Sequence, residues 1–228
     1  MNGKLITIES GSDASGKATQ TAMLYERLIK EGKNVKKIEF PNYQSDSSVF
    51  VKMYLSGKFG RDPQSVDPYI ASPMFTLDRY CSYVDLWGEF YNAGGLIIAD
   101  RYSTSNMVHQ GSKIANPDEK DKFLDWLWEL EFEIYRLPAP DLVIFLDVPP
   151  EISQRLMELR VNKFTGGKER DIHESNYEYL ERTYLNALYI AQKYGWRRVK
   201  CLDEANKELL PADIIHERVY KIVSGLIG

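Results

Sequence analysis

The sequence has little of what metal centres and disulfide scaffolds require. Its 228 residues hold two cysteines and three histidines. Cys81 and Cys201 lie far apart in the chain and form no metal-ligand pattern. Two free thiols in a reducing cytosol is the simplest reading, so a cytoplasmic protein is expected. No apolar stretch is long enough to cross a bilayer, and Met1 to Glu9 lacks a signal peptide's basic start and long apolar middle. Positive charge is not in excess. Lys and Arg number 29 against 33 Asp and Glu, a net charge of −4. That balance gives no electrostatic reason to expect nucleic acid or an anionic membrane as partner. Internal repeats and low-complexity linkers are also lacking. The length that remains suits one α/β domain over 1–228, with a sizeable core.

The most informative stretch is Gly11-Ser12-Asp13-Ala14-Ser15-Gly16-Lys17-Ala18, directly after the β-like run Leu5 to Glu9. It follows the phosphate-loop pattern G-x-x-x-x-G-K-[ST] in all but the last position. Gly11 and Gly16 permit positive φ and bring successive N–H groups toward an anion. A helix starting near Lys17 aims its positive end at the same phosphates. Lys17 then reaches the β- and γ-phosphates as a point charge. The plain alternative is a Gly/Ser turn joining strand to helix, a reading weakened by the apolar strand before it and the helical pattern after it. Ala18 stands where Ser or Thr usually ligates Mg²⁺. Thr19 sits roughly 100° further round the helix and cannot take its place. Any metal must be held mainly by substrate phosphates, waters and a carboxylate from elsewhere.

Further along, Ala22, Leu24, Leu28 and Ile29 form an apolar helical face that stops at Gly32. Val35 to Phe40 reads as a second strand, ended by Pro41. A short helix runs from about Ser48 to Leu55. Asp67-Pro68 signals a capped helix that Pro73 interrupts, with a long helix continuing to about Tyr91. Leu96 to Ala99 and Leu142 to Leu146 are apolar runs of the buried parallel-strand kind. Between them, Asn116-Pro117-Asp118 starts a helix rich in Trp126, Trp128 and Phe132. Pro149-Pro150 opens a helix to about Arg160, and residues 161–174 read as a mobile basic lid. A helix from about Ser175 to Tyr194, a fifth strand over Val199 to Leu202 and a last helix after Pro211 complete the chain. Such alternation predicts a three-layer α/β fold, a five-stranded parallel sheet with helices on both faces. In such sheets ligands bind beyond the carboxyl ends of the strands.

The candidate residues follow the strand ends. Asp13 and Lys17 come after the first strand, and Phe40-Pro41-Asn42-Tyr43 after the second. Asp100-Arg101-Tyr102 follows the third. Asp100 is a candidate for a Mg²⁺-bound water or a helix N-cap. Arg101 is a candidate for a substrate phosphate or a surface ion pair. Phe75 and Arg79, four apart on a predicted helix, share a face, where an aromatic plane and a guanidinium suit a base as well as a core. Arg160 and Arg170 flank and occupy the basic loop, where an arginine could neutralise a transferring phosphoryl group, although a solvated loop explains the charge too. His109 reads better as a packed histidine than as a catalytic one.

Taken together, these residues resemble thymidylate kinase, of the phosphate-loop nucleoside monophosphate kinases. The resemblance is carried by the loop through Gln20, by Phe40-Pro41 and by Phe75-Thr-Leu-Asp-Arg79. It continues through Asp100-Arg-Tyr102 with Ser105, His109-Gln-Gly111, Pro140-Asp-Leu142 and Leu146-Asp-Val148, and so spans nearly the whole chain. It implies the phosphate-loop NTPase fold and transfer of the ATP γ-phosphate to dTMP, giving dTDP and ADP for dTTP synthesis, with Mg²⁺. By the family's pattern, Gly11, Ser12, Asp13, Ala14, Ser15, Gly16, Lys17, Ala18 and Thr19 cradle ATP. Phe75 would stack on thymine, Arg79 would bond the base and Arg101 would hold the dTMP phosphate. Phe40, Pro41, Tyr43, Ser105, Asn106 and Gln110 would line the acceptor pocket. Asp13 would lie near the deoxyribose 3′-hydroxyl or the metal, and Asp100 would be the metal-associated carboxylate. Because the loop itself lacks arginine, the catalytic arginine is expected from the lid, as Arg160 or Arg170. The resemblance also implies a homodimer.

Three positions depart from the pattern: Ala18, Asn42 where many members have Arg, and His109 beside Gln110. Two further readings stay open, a related kinase with another acceptor and a nucleotide-binding module without useful catalysis.

Overall fold

Apolar runs bounded by Gly and Pro become the strands β1 (Lys4–Ser10), β2 (Val35–Glu39), β3 (Leu96–Asp100), β4 (Leu142–Asp147) and β5 (Arg197–Lys200). A computed structural model describes residues 3–158, 177–203, 205 and 208–228 of the chain. All strands are parallel, in the order β2-β3-β1-β4-β5, so β1 is bonded on both sides. Side chains alternate across the sheet. Ile6, Ile8, Ile98, Ile144 and Leu146 face one layer, with Leu24 and Leu28 of α1 (Lys17–Lys30) and Val219 and Val223 of α9 (Ala212–Ile227). Phe145 faces the other, against α5 (Ser103–His109), α6 (Pro117–Trp128) and α8 (Tyr177–Lys193). Leu5, Ile97 and Ala99 face that same layer, beside Trp87 and Tyr91. The expected three-layer arrangement is therefore present.

Most boundaries agree with the sequence, including α2 (Val49–Leu55) and α7 (Pro150–Glu158). Two differ for physical reasons. The helix α3 (Pro68–Ser82) is not interrupted at Pro73. Its cap is as expected, with Asp67 Oδ1 accepting from the Tyr69 N–H at 2.8 Å. Pro73 removes one backbone donor, but buried Ala71, Ser72 and Thr76 pin the helix around it. The Ser72 carbonyl also accepts from Asn106 Nδ2 at 3.2 Å, with Thr76 Oγ1 3.1 Å away. Strand β5 starts two residues earlier than the apolar residues suggest. It is an edge strand, so exposed Arg197 and Arg198 can pair with Ile144 and Phe145 while their side chains meet solvent.

Two helices end in wide turns. α3 passes through a π-helical turn, Tyr83–Trp87, into α4 (Gly88–Asn92). α6 continues through a second π-helical turn, Glu129–Ile134, where Tyr135 N–H donates to the Leu130 carbonyl at 3.0 Å. The expected lid over 161–174, with Arg160 and Arg170, lies outside the described residues.

Candidate active site

The carboxyl ends of β1, β2 and β3 open into one cavity of about 400 Å³. The phosphate loop forms its first wall. Gly16 takes φ +88° and so uses the freedom only glycine has there. The other left-handed residue of the loop is Ala14, at φ +56°, not Gly11 as the pattern suggested. Gly11 is required by space instead. A Cβ there would lie 2.9 Å from the Cα of Tyr184 on α8, so the loop packs directly on that helix.

Lys17 opens α1 and is buried, with its ammonium turned back into the loop. It donates to Ser10 Oγ at 2.6 Å, the Ser12 carbonyl at 2.8 Å and Ser15 Oγ at 3.3 Å. Ser15 Oγ in turn donates to Ser10 Oγ at 2.6 Å. Burial, then the nearby Arg101 guanidinium, lowers the Lys17 pKa to about 8 against the pull of Asp13, Glu9 and Asp100.

Arg101 follows β3 with φ +68°, a strained left-handed conformation for a residue with a side chain. Its guanidinium pairs with Asp13 and lies 3.8 Å from Glu9 Oε1. It also reaches Ser105 Oγ at 3.4 Å and His109 Nε2 at 3.3 Å. Burial pulls its pKa down, but Asp13, Glu9, Asp100 and Tyr43 together hold it above the ordinary arginine value. The surface ion pair considered for this arginine is thus ruled out by its surroundings. Asp100 is no N-cap either, since Tyr102 occupies that position of α5.

The far wall comes from α3 and α5. Phe75 packs edge-on against Tyr54, ring centroids 5.9 Å apart. Arg79 is buried and held by Glu131 through Nε at 3.0 Å and through Nη2. Gln110 is fully buried, yet neither atom of its amide has a hydrogen-bond partner among the described residues. A buried amide left this way is costly unless a ligand completes it. His109 stacks on Tyr179 and touches Arg101, in keeping with a packed histidine.

Among the expected residues, Asp13, Ala14, Ser15, Gly16, Lys17, Ala18 and Thr19 line the cavity. So do Phe40, Pro41, Tyr43, Phe75, Arg79, Asp100, Arg101, Ser105, Asn106 and Gln110. Gly11 and Ser12 do not line it; they shape the loop from behind. Two acids escaped the sequence reading. Glu9 is buried at the end of β1, accepting from the Ser10 N–H at 2.9 Å, Thr104 Oγ1 at 2.9 Å and Ser105 Oγ at 2.6 Å. A lone acid in an apolar strand was the signal for it. Glu131 is the other, and its helix pattern gave no signal, because the π-helical turn alters which side chains face inward.

Comparison with known proteins agrees with this geometry. The family model described as thymidylate kinase matches residues 8–209. The chain belongs to the thymidylate kinase family. It is similar to the thymidylate kinase of Schizosaccharomyces pombe, 30% identical over 151 residues, 66% of this chain and 64% of that one. It is also similar to the human thymidylate kinase, 30% identical over 146 residues, 64% of this chain and 61% of that one. The matched region thus spans less than two thirds of either relative. The solved structure of the Candida albicans thymidylate kinase shares the fold, with a TM-score of 0.69 and 22% identity, covering 98% of this chain and 92% of that one. The sheet and loop are those of a phosphate-loop NTPase. Within the thymidylate kinase family, this chain keeps Ala18 at an exposed position beside the cavity, with no hydroxyl for a metal.

Proposed function

We propose that the protein transfers the γ-phosphate of ATP to dTMP, giving dTDP and ADP in the supply of dTTP. One observation carries this reading. A single continuous cavity has the phosphate loop at one end and Phe75, Arg79 and Gln110 at the other. The loop N–H groups and the positive end of α1 hold the donor phosphates. Lys17 exchanges its bonds to Ser10 and Ser12 for phosphate oxygens. Arg101, already beside Asp13, holds the acceptor phosphate. Phe75 stacks on the base, and Gln110 and Arg79 bond its edge. Phe40, Pro41, Tyr43, Ser105 and Asn106 line the space between, with Asp13 near the sugar 3′-hydroxyl.

The acceptor is itself an anion, so no base is needed to create the nucleophile. Positioning and electrostatic stabilisation lower the barrier. Arg160 and Arg170, which lie outside the described residues, are proposed to neutralise the transferring group as part of a lid in one kinase domain. Mg²⁺ fits this site in a limited way. Ala18 offers no ligand, and Asp13 is engaged with Arg101, so Asp100 is the carboxylate best suited to a metal carried in on the phosphates. Bound there, the ion would neutralise phosphate charge.

A cytoplasmic homodimer completes the proposal. Ile70, Leu77 and Val84 recur at heptad spacing on α3 and its extension, all exposed, and exposed Tyr80 lies on the same helix. No described helix is long and apolar enough to cross a membrane.

The test is ADP release from Mg-ATP with dTMP, dUMP, dCMP, dGMP and thymidine supplied separately. Strong turnover with dTMP and weaker turnover with dUMP is expected. ATP binding without turnover on any acceptor would overturn the proposal in favour of a nucleotide-binding module.

A further inference from the structure

The Arg79–Glu131 pair does more than join two helices. Glu131 is fully buried and spends both carboxylate oxygens inside the protein. Oε2 accepts from Arg79 Nε at 3.0 Å, while Oε1 accepts from Arg79 Nη2 and from Thr76 Oγ1 at 2.9 Å. Two sides of the guanidinium are therefore fixed in one plane. Its remaining nitrogen, Nη1, has no partner among the described residues, and Arg79 lines the acceptor end of the cavity. The element that presents Glu131 is also unusual. It is the π-helical turn Glu129–Ile134, and such turns recur where a helix must re-aim a side chain.

We infer that Glu131 is a positioning residue that holds Arg79 as a rigid hydrogen-bond donor, so that the site selects pyrimidines with a carbonyl, not an amino group, at position 4. This rests on the proposed dTMP kinase reading. An arginine offers donors only. Against a 4-oxo base its free corner finds an acceptor. Against cytosine it meets the 4-amino group, another donor, and is left buried and unpaired. A free arginine could swing away from that conflict. The bidentate clamp, braced by Thr76, denies it the movement. Gln110 cannot make this choice alone, because its amide offers both a donor and an acceptor and can present either.

The experiment compares kcat and KM for dTMP and dCMP in the parent, in Glu131→Gln and in the double variant Arg79→Met with Glu131→Gln. In the parent, dTMP should be preferred over dCMP by about a hundredfold or more in kcat/KM, as expected where a site built to bond one group rejects its opposite. Glu131→Gln should raise KM for dTMP about tenfold, leave KM for ATP unchanged and lower the preference about tenfold, with kcat moving less than about threefold. The double variant should lose no more preference than Arg79→Met alone, measured beside it, because the two residues act as a unit. If folded Glu131→Gln keeps the parent's preference, the inference is overturned. If that variant does not fold, Glu131→Asp, which keeps the charge but shortens its reach to Arg79, carries the test. Preference kept there at the parent's level overturns the inference, and a lowered preference with unchanged KM for ATP upholds it. Failure of the underlying reading looks different, since the parent itself would then not use dTMP.

Discussion

The two ends of the cavity are built in opposite ways. At the phosphate end, three charged groups already have protein partners: Lys17 in the loop serines, Arg101 on Asp13, Glu9 on Ser105 and Thr104. Under the proposed function, a nucleotide binds there by exchange, replacing internal bonds with its own. At the base end, one group is clamped and another is left open. Glu131 bonds Arg79, and the Gln110 amide has no partner among the described residues. Binding there completes bonds that are missing. The first arrangement lets the loop fold without its ligand. The second costs the free protein stability and, under the proposed function, returns selectivity.

The comparison can be broken most strongly at the phosphate end. Lys17→Met should lower kcat/KM for dTMP-dependent ADP release by about a thousandfold, the scale of losing a main charge stabiliser. Thymidine binding, measured by calorimetry, should stay within about twofold, because the base end makes no use of Lys17. At the other end, Gln110→Leu should raise KM for dTMP by about ten- to a hundredfold and leave KM for ATP unchanged. Thermal unfolding of that free variant should show equal or greater stability, since two buried orphan atoms are gone. A fall in stability would mean that Gln110 is satisfied in the free protein.

A smaller effect separates the ends by pH. Lys17 has a pKa of about 8 in the free protein. Bound phosphates favour its charged form, so its pKa rises in the complex. ATP affinity should therefore be at its full value below about pH 8 and fall by up to about tenfold per unit above it, until the pKa of the complex is reached. Titration calorimetry in two buffers of different ionisation enthalpy should detect uptake of a proton at about pH 9 and little at about pH 7. Thymidine affinity should change far less between about pH 7 and about pH 9, because the base end makes no use of Lys17.

How well each end can be read from sequence follows from how it is assembled. The phosphate loop is a contiguous stretch directly after the first strand, so Gly11 to Thr19 announce it by spacing alone. Phe75 and Arg79 are also legible, four residues apart on one helix. The partner that fixes Arg79 lies 52 residues away along the chain, on a turn whose wider winding defeats the usual helical period. The fold was legible because buried parallel strands are continuous apolar runs between Gly and Pro. Local rules failed where packing outweighed them. Pro73 stays inside a helix held by its neighbours, and Ala14 takes the conformation expected of a glycine.

The central position of β1 has a consequence for how this protein can change. Its carboxyl end carries the phosphate loop, and it is flanked by β3 and β4 along its length. Loosening that loop disturbs the middle of the sheet. The residues proposed to read the base, and Glu131 that holds one of them, hang outside the sheet, on α3, after α5 and on the turn after α6. Substitutions can be made there while the strand that carries the phosphate loop stays intact. Under the proposed function, acceptor choice can therefore be altered from outside the sheet, whereas phosphate binding is tied to its central strand.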